Sequence, residues 1–145
     1  MIQGLFDTDT IRLWQVTDDC GHVRVLTKAE AKLLSGDQMR QVLDTFLSPD
    51  DEKMREWRRE QFVRQLHQVR DLMSQEKRYR FISSSLLFAY GRPIAHCSDE
   101  LVKLTVIDFA HTFRLPHSEE QVDQNYLKGL HSLLTFIESD QNEMK

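Results

Sequence analysis

Residues 79–90 read Tyr79-Arg80-Phe81-Ile82-Ser83-Ser84-Ser85-Leu86-Leu87-Phe88-Ala89-Tyr90, and residues 101–109 read Leu101-Val102-Lys103-Leu104-Thr105-Val106-Ile107-Asp108-Phe109. The first run has the aromatic and β-prone content of one long strand. Gly91-Arg92-Pro93 breaks it. The second run reads as another strand, with Asp108 at its end. Two strands with a short connection predict a hairpin at the centre of the fold. Leu86, Val106 and Phe109 are expected to be buried there, and Asp108 partly exposed at a cleft.

Upstream, Thr10 to Val16 alternates as a strand, and Thr17-Asp18-Asp19-Cys20-Gly21 has turn composition. His22 to Leu26 alternates again, which predicts a first hairpin. Lys28 to Leu34 suits a short helix stopped by Ser35-Gly36. Asp37 is placed to cap a second helix, in which Met39, Val42, Leu43 and Phe46 fall at helical spacing. Ser48-Pro49-Asp50-Asp51 opens a third, with Ser48 as cap and Pro49 at the first helical position. Its stripe of Met54, Phe62, Leu66, Val69 and Met73 is a core face. Downstream, Asp123 precedes a helix bearing Leu127, Leu130, Leu133, Leu134 and Ile137. The fold class is therefore α+β: two β-hairpins with a helical middle and a C-terminal helix, in one domain over residues 1–145.

A chain of 145 residues, 40% hydrophobic and 29% charged, suits one soluble domain. Its net charge of −4 argues against nucleic acid or an anionic membrane as a partner, while leaving room for a local basic patch. Cys20 and Cys97 stand far apart, without metal-ligand spacing, and read as reduced thiols. The start, Met1 to Asp7, lacks the basic and apolar regions of a signal peptide, and no run approaches a membrane span. The expected location is the cytoplasm or the nucleus.

Four groups of residues invite chemical readings. Asp108 ends an apolar strand, where a carboxylate is costly without a partner. It is either a Mg²⁺ ligand of a nucleotide site or a turn-capping residue. His111, three residues on, is either within reach of a phosphate or an ordinary surface histidine. Ser83-Ser84-Ser85 permits close approach of a ligand or backbone, or simply alternates in a half-buried strand. Arg55, Arg58, Arg59 and Arg64, interleaved with Glu52, Glu56 and Glu60, read as a solvated helix face rather than a phosphate site.

Arg80 to Tyr90 is similar to the SSLL strand of the inositol polyphosphate kinases, most nearly of the inositol hexakisphosphate kinases. Val106 to Thr112 resembles that family's IDFAHT motif, and Asp123 to Leu130 resembles its closing D-x-x-Y-x-x-G-L. The hairpin from Ile11 to Val25 is similar to the one preceding the family's helical substrate-facing segment, so the resemblance spans nearly the whole chain. It implies the C-terminal lobe of a kinase-like fold, with ATP between two lobes and inositol phosphate over the C-terminal one. It implies that Asp108 is the Mg²⁺ ligand. Leu86 or Leu87 would pack beneath the adenine, Ser84 and Ser85 would line the nucleotide side, and His111 would lie near the transferred phosphate or the inositol phosphate. Arg114 is a nearby base able to attract phosphates.

The family's P-x-x-x-D-x-K-x-G does not occur in these residues. Pro49, Pro93 and Pro116 do not begin it, and Asp51-Glu52-Lys53 has the spacing without the glycine. The family places that motif before the first hairpin, so it and the N-terminal lobe are expected upstream of Met1 or on a protein partner. The resemblance implies ATP- and Mg²⁺-dependent phosphoryl transfer to a hydroxyl or phosphate of an inositol polyphosphate. The alternative is a non-catalytic kinase-like module that binds inositol phosphates or a protein partner.

Overall fold

The computed structural model describes residues 2–7, 10–17, 23–24, 29–30, 33–47, 51–91 and 101–139. Its strands are β1 (Ile2–Asp7), β2 (Thr10–Thr17), β3 (Val23–Arg24), β4 (Tyr79–Phe81), β5 (Ser85–Gly91), β6 (Leu101–Ile107) and β7 (Thr112–Arg114). Its longer helices are α1 (Gly36–Leu47), α2 (Glu52–Gln75) and α3 (Gln124–Glu138), with a 3₁₀ turn at His117–Glu119. The α+β class stands. The two expected hairpins are present as the antiparallel pairs β2–β3 and β5–β6.

They are not separate units. β1, for which the sequence reading has no strand, pairs with β2 on one side and β5 on the other, giving the order β3-β2-β1-β5-β6. A register shift between Gln3 and Gly4 leaves Trp14 as an extra residue in β2, a bulge opposite Gly4 of β1. A glycine at that point weakens the alternation by which a strand is recognised. The single long strand expected over 79–90 is also corrected. β4 pairs with β7 in a two-stranded ribbon, while β5 belongs to the five-stranded sheet. The break is Ser83, whose φ of 56° turns the backbone into the left-handed region.

Helix starts follow side-chain capping. At α1 the Ser35 hydroxyl accepts from Gln38 N–H while Gln38 Oε1 accepts from Ser35 N–H at 2.9 Å. This reciprocal box moves the cap from Asp37 to Ser35. At α2 the cap is Asp51, accepting from Met54 N–H at 3.0 Å, in place of Ser48, which lies outside the described residues together with Pro49. A carboxylate there also favours the positive helix end. At α3 the cap is Asp123, as expected. Of the short helix expected over Lys28 to Leu34, only 29–30 are helical among the described residues.

One face of the sheet carries the core. Leu86, Phe88 and Tyr90 alternate inward from β5 and meet α1 and α2. Phe62 is the hub, its ring 6.0 Å from Phe46 and 5.0 Å from Phe88, while Tyr90 packs edge-on to Phe46 at 5.3 Å. The Tyr90 hydroxyl donates to the Phe46 carbonyl, and the Arg58 guanidinium lies 3.8 Å over the Tyr90 ring. Arg59, read with Arg58 as part of a solvated face, is instead buried and paired with Asp44 at 2.9 Å. Tyr126, Leu130, Leu134 and Ile137 of α3 join the same cluster. Full burial of each large apolar side chain stabilises by about 1.5–3 kcal/mol, so this face holds the sheet to its helices.

β6 is an edge of the sheet, and α2 closes it. Gln65 Oε1 accepts from Leu104 N–H at 2.8 Å, and Gln65 Nε2 donates to the Val102 carbonyl at 3.1 Å. One side-chain amide thus occupies the edge groups that another strand would use.

Candidate functional site

The sequence features that suggested chemistry converge where two chain segments leave the five-stranded sheet together. β4 passes to β5 through Ile82-Ser83-Ser84, and β6 passes to β7 through Asp108 to His111. Ser85 pairs with Ile107 in the large sheet, and Phe81 pairs with Thr112 in the ribbon. Both crossings contain a non-glycine residue of positive φ, Ser83 at 56° and Asp108 at 63°. Such conformations cost of order 1–3 kcal/mol each and persist where the surroundings over-determine them.

The surroundings here are specific. Thr112 N–H donates to the Phe109 carbonyl at 3.0 Å, closing a turn over Ala110 and His111. Ile82 N–H reaches the His111 carbonyl at 3.4 Å. The Phe81 ring stands edge-on to Phe109 at 6.1 Å and to Tyr126 at 5.9 Å. The result is a strand-end carboxylate and an imidazole, both exposed and neither paired with a described residue, on a turn fixed from two sides.

The predicted residues divide between this turn and the interior. Asp108 and His111 share the turn. Leu86 belongs to the helix-facing core, so of the two leucines only Leu87, half-buried on the other sheet face, remains open to an adenine. Ser84 is 0% exposed and its hydroxyl lies beside the Tyr126 phenol on the helix side. That position corrects the expectation of a cleft-lining hydroxyl, because alternation from β5 turns Ser84 inward. Burial raises the Tyr126 pKa, and the Ser84 hydroxyl partly opposes that rise. Ser85 is also buried, between Ile107 and the β1 backbone. Arg114 is exposed at the far end of β7, opposite Tyr79, roughly 10 Å along the ribbon from His111 by strand rise. The expectation that Val106 and Phe109 are buried holds only in part: Val106 is half-buried, and Phe109 is 50% exposed because the strand ends at Ile107.

No cluster of three or more His, Cys, Asp or Glu side chains able to hold a metal occurs among the described residues. Asp108 does suit a hard cation shared with a nucleotide, since Mg²⁺ is commonly bound through one or two carboxylates plus substrate phosphates. A single exposed carboxylate suits a cation that takes its other ligands from outside the protein, and the described residues do not make a protein-only cage.

Asp123 is the residue that pattern reading undervalued. Its Oδ1 accepts from Tyr126 N–H at 3.1 Å, as a helix cap does, and its Oδ2 accepts from Phe81 N–H at 3.2 Å. The capping signal was readable from the sequence. The second bond joins positions 42 apart and had no local signal.

Comparison with known proteins defines the class first. In fold the chain is similar to a structure from structural and protein-engineering studies of inositol phosphate multikinase, with a TM-score of 0.70 and 20% identity over 97% of this chain and 80% of that one. It is also similar to the inositol phosphate multikinase of S. cerevisiae in complex with ADP and Mn²⁺, with a TM-score of 0.68 and 19% identity over 89% of this chain and 56% of that one. No curated protein matches the chain in sequence. The family profile described as inositol polyphosphate kinase matches residues 6–138, and the chain belongs to that family. By family it is an inositol polyphosphate kinase, a phosphotransferase.

Proposed function

We propose that this chain is the phosphate-side lobe of a kinase that transfers the terminal phosphoryl group of ATP to an inositol polyphosphate, with Mg²⁺ as the cation. The observation that carries the reading is the Asp108 turn, an exposed carboxylate held in a left-handed conformation and unpaired among the described residues, on the turn it shares with His111, in a chain of this family. Asp108 would hold the cation jointly with the nucleotide phosphates. When bound, the cation supplies charge neutralisation for phosphoryl transfer. His111 orients a phosphate of the nucleotide or of the acceptor, Leu87 offers an apolar surface to the adenine, and Arg114 draws acceptor phosphates toward the ribbon. Cytoplasm or nucleus is the proposed location.

A second reading has its own support. These 145 residues contain no P-x-x-x-D-x-K-x-G, and Asp51 of the D-x-K triplet is a helix cap. On that reading the chain binds inositol phosphates without turnover, or completes its site with a partner that carries the other lobe. Missing electrostatic groups typically cost about a hundred- to a thousandfold each in rate. The chain alone is therefore expected to bind inositol polyphosphate with little turnover. The test incubates it with labelled ATP, Mg²⁺ and a panel of inositol phosphates, and titrates the same ligands without ATP. Turnover of about one per second or faster would establish stand-alone catalysis. Binding without turnover supports the module or the completed site, and neither binding nor turnover would refute the binding module and leave a lobe whose site is completed by a partner.

A further inference from the structure

We infer that Asp123 is a positioning residue for the Asp108 turn, acting through β4; the inference rests on the reading of Asp108 as the cation ligand. The ribbon that carries the turn has little else to hold it. β4 and β7 pair over three positions, and neither strand joins the five-stranded sheet. Among the described residues, the ribbon's distal end is tied by Leu115 N–H to the Arg78 carbonyl at 2.7 Å, Gln121 N–H to the Lys77 carbonyl at 2.9 Å and Arg80 Nη1 to the Gln121 carbonyl at 2.9 Å, and beside the turn Ile82 N–H reaches the His111 carbonyl at a long 3.4 Å. The shorter hold on the end nearest the turn is the Asp123 carboxylate at Phe81 N–H, 3.2 Å, together with the Phe81 ring packed between Phe109 and Tyr126.

The buried Asp123 carboxylate therefore clamps two elements with its two oxygens. One caps α3, which is anchored in the core. The other grips the strand directly across from Thr112, where the Asp108 turn closes. Loss of the second grip frees Phe81, and with it the ring that backs Phe109. Two substitutions separate the roles. Asp123→Ser retains a hydroxyl cap for α3 but is too short to span both partners. Asp123→Asn retains one capping oxygen and faces the other amide with a donor.

The first measurement is amide hydrogen exchange of the whole chain and both variants. Removing one charge-assisted hydrogen bond predicts roughly a ten- to a hundredfold faster exchange at Thr112 and Leu115. Leu104, whose amide is held by Gln65, should keep its protection. Unchanged exchange at Thr112, or acceleration at Leu104 equal to that at Thr112, would overturn the inference, the latter because it reports general loosening. The second measurement is calorimetric titration with Mn²⁺ and ADP. Beside a wild type that binds, both variants should bind about tenfold or more weakly, and unchanged affinity overturns the positioning role even where exchange is faster. A wild type that does not bind Mn²⁺–ADP counts against the proposed function, and the exchange measurement then decides the clamp alone.

Discussion

Gln65→Leu is the sharpest test of how the helical layer holds the strand that ends in Asp108. The wild-type amide makes two hydrogen bonds to β6, at 2.8 and 3.1 Å, in a half-buried setting. Each contributes about 1 kcal/mol net, and a buried strand group left without a partner costs about 1–3 kcal/mol. Water can still reach part of this edge, and the leucine gains some apolar contact. The expected net loss is about 2 kcal/mol, or roughly 6 °C in Tm for a chain of this length. Gln65→Met keeps nearly the same shape without the amide and should lose a similar amount, which separates hydrogen bonding from packing. The assay is urea denaturation followed by circular dichroism, with thermal melts at two protein concentrations. The opened edge should also promote association through β6, seen as a concentration-dependent melt. Stability of both variants within about 0.5 kcal/mol of wild type, the ordinary range for a surface substitution, would refute the view that the amide completes the sheet.

Other outcomes follow from the same structure. Asp108→Asn should abolish Mg²⁺-dependent nucleotide binding in calorimetry while leaving the urea midpoint unchanged or slightly raised, since the side chain is exposed and unpaired among the described residues; undiminished affinity beside a binding wild type would remove Asp108 from the site. Tyr126→Phe should be neutral or stabilising by up to about 0.5 kcal/mol at pH 8, because the buried hydroxyl meets no full hydrogen-bond geometry, and a loss above about 1 kcal/mol would show a real bond. Burial raises the Tyr126 pKa above 10.0, so folding favours the protonated phenol. That contribution is present below pH 10.0 and is lost as pH rises through the folded-state value. Wild type should therefore lose more stability than Tyr126→Phe between pH 8 and strongly alkaline conditions, and equal losses would contradict the assignment.

Local physics was readable from the residues alone. Apolar spacing in α1, α2 and α3 names most of their buried faces, because a helix repeats its contacts every three to four residues: Met39, Val42, Leu43 and Phe46 are buried, as are Phe62, Leu66 and Met73, while Val69 is half-buried and Met54, expected in the same stripe, is 36% exposed in the first turn of α2. The run from Leu101 to Ile107 is a strand that ends just before Asp108, and the resemblance carried by the SSLL and IDFAHT motifs agrees with the family match over residues 6–138.

What the tertiary structure decided depends on partners distant in the chain. Hydrogen bonding of β5 to β1 but of β4 to β7 splits one apparent strand in two. No property of Ser83 announces this, since serine has no special licence for a positive φ. The inward turn of Ser84 and Leu86, the edge-closing role of Gln65 and the second grip of Asp123 are likewise set by what lies across from each residue. A side chain's type limits the bonds it can make, and only the folded chain selects which of them it makes.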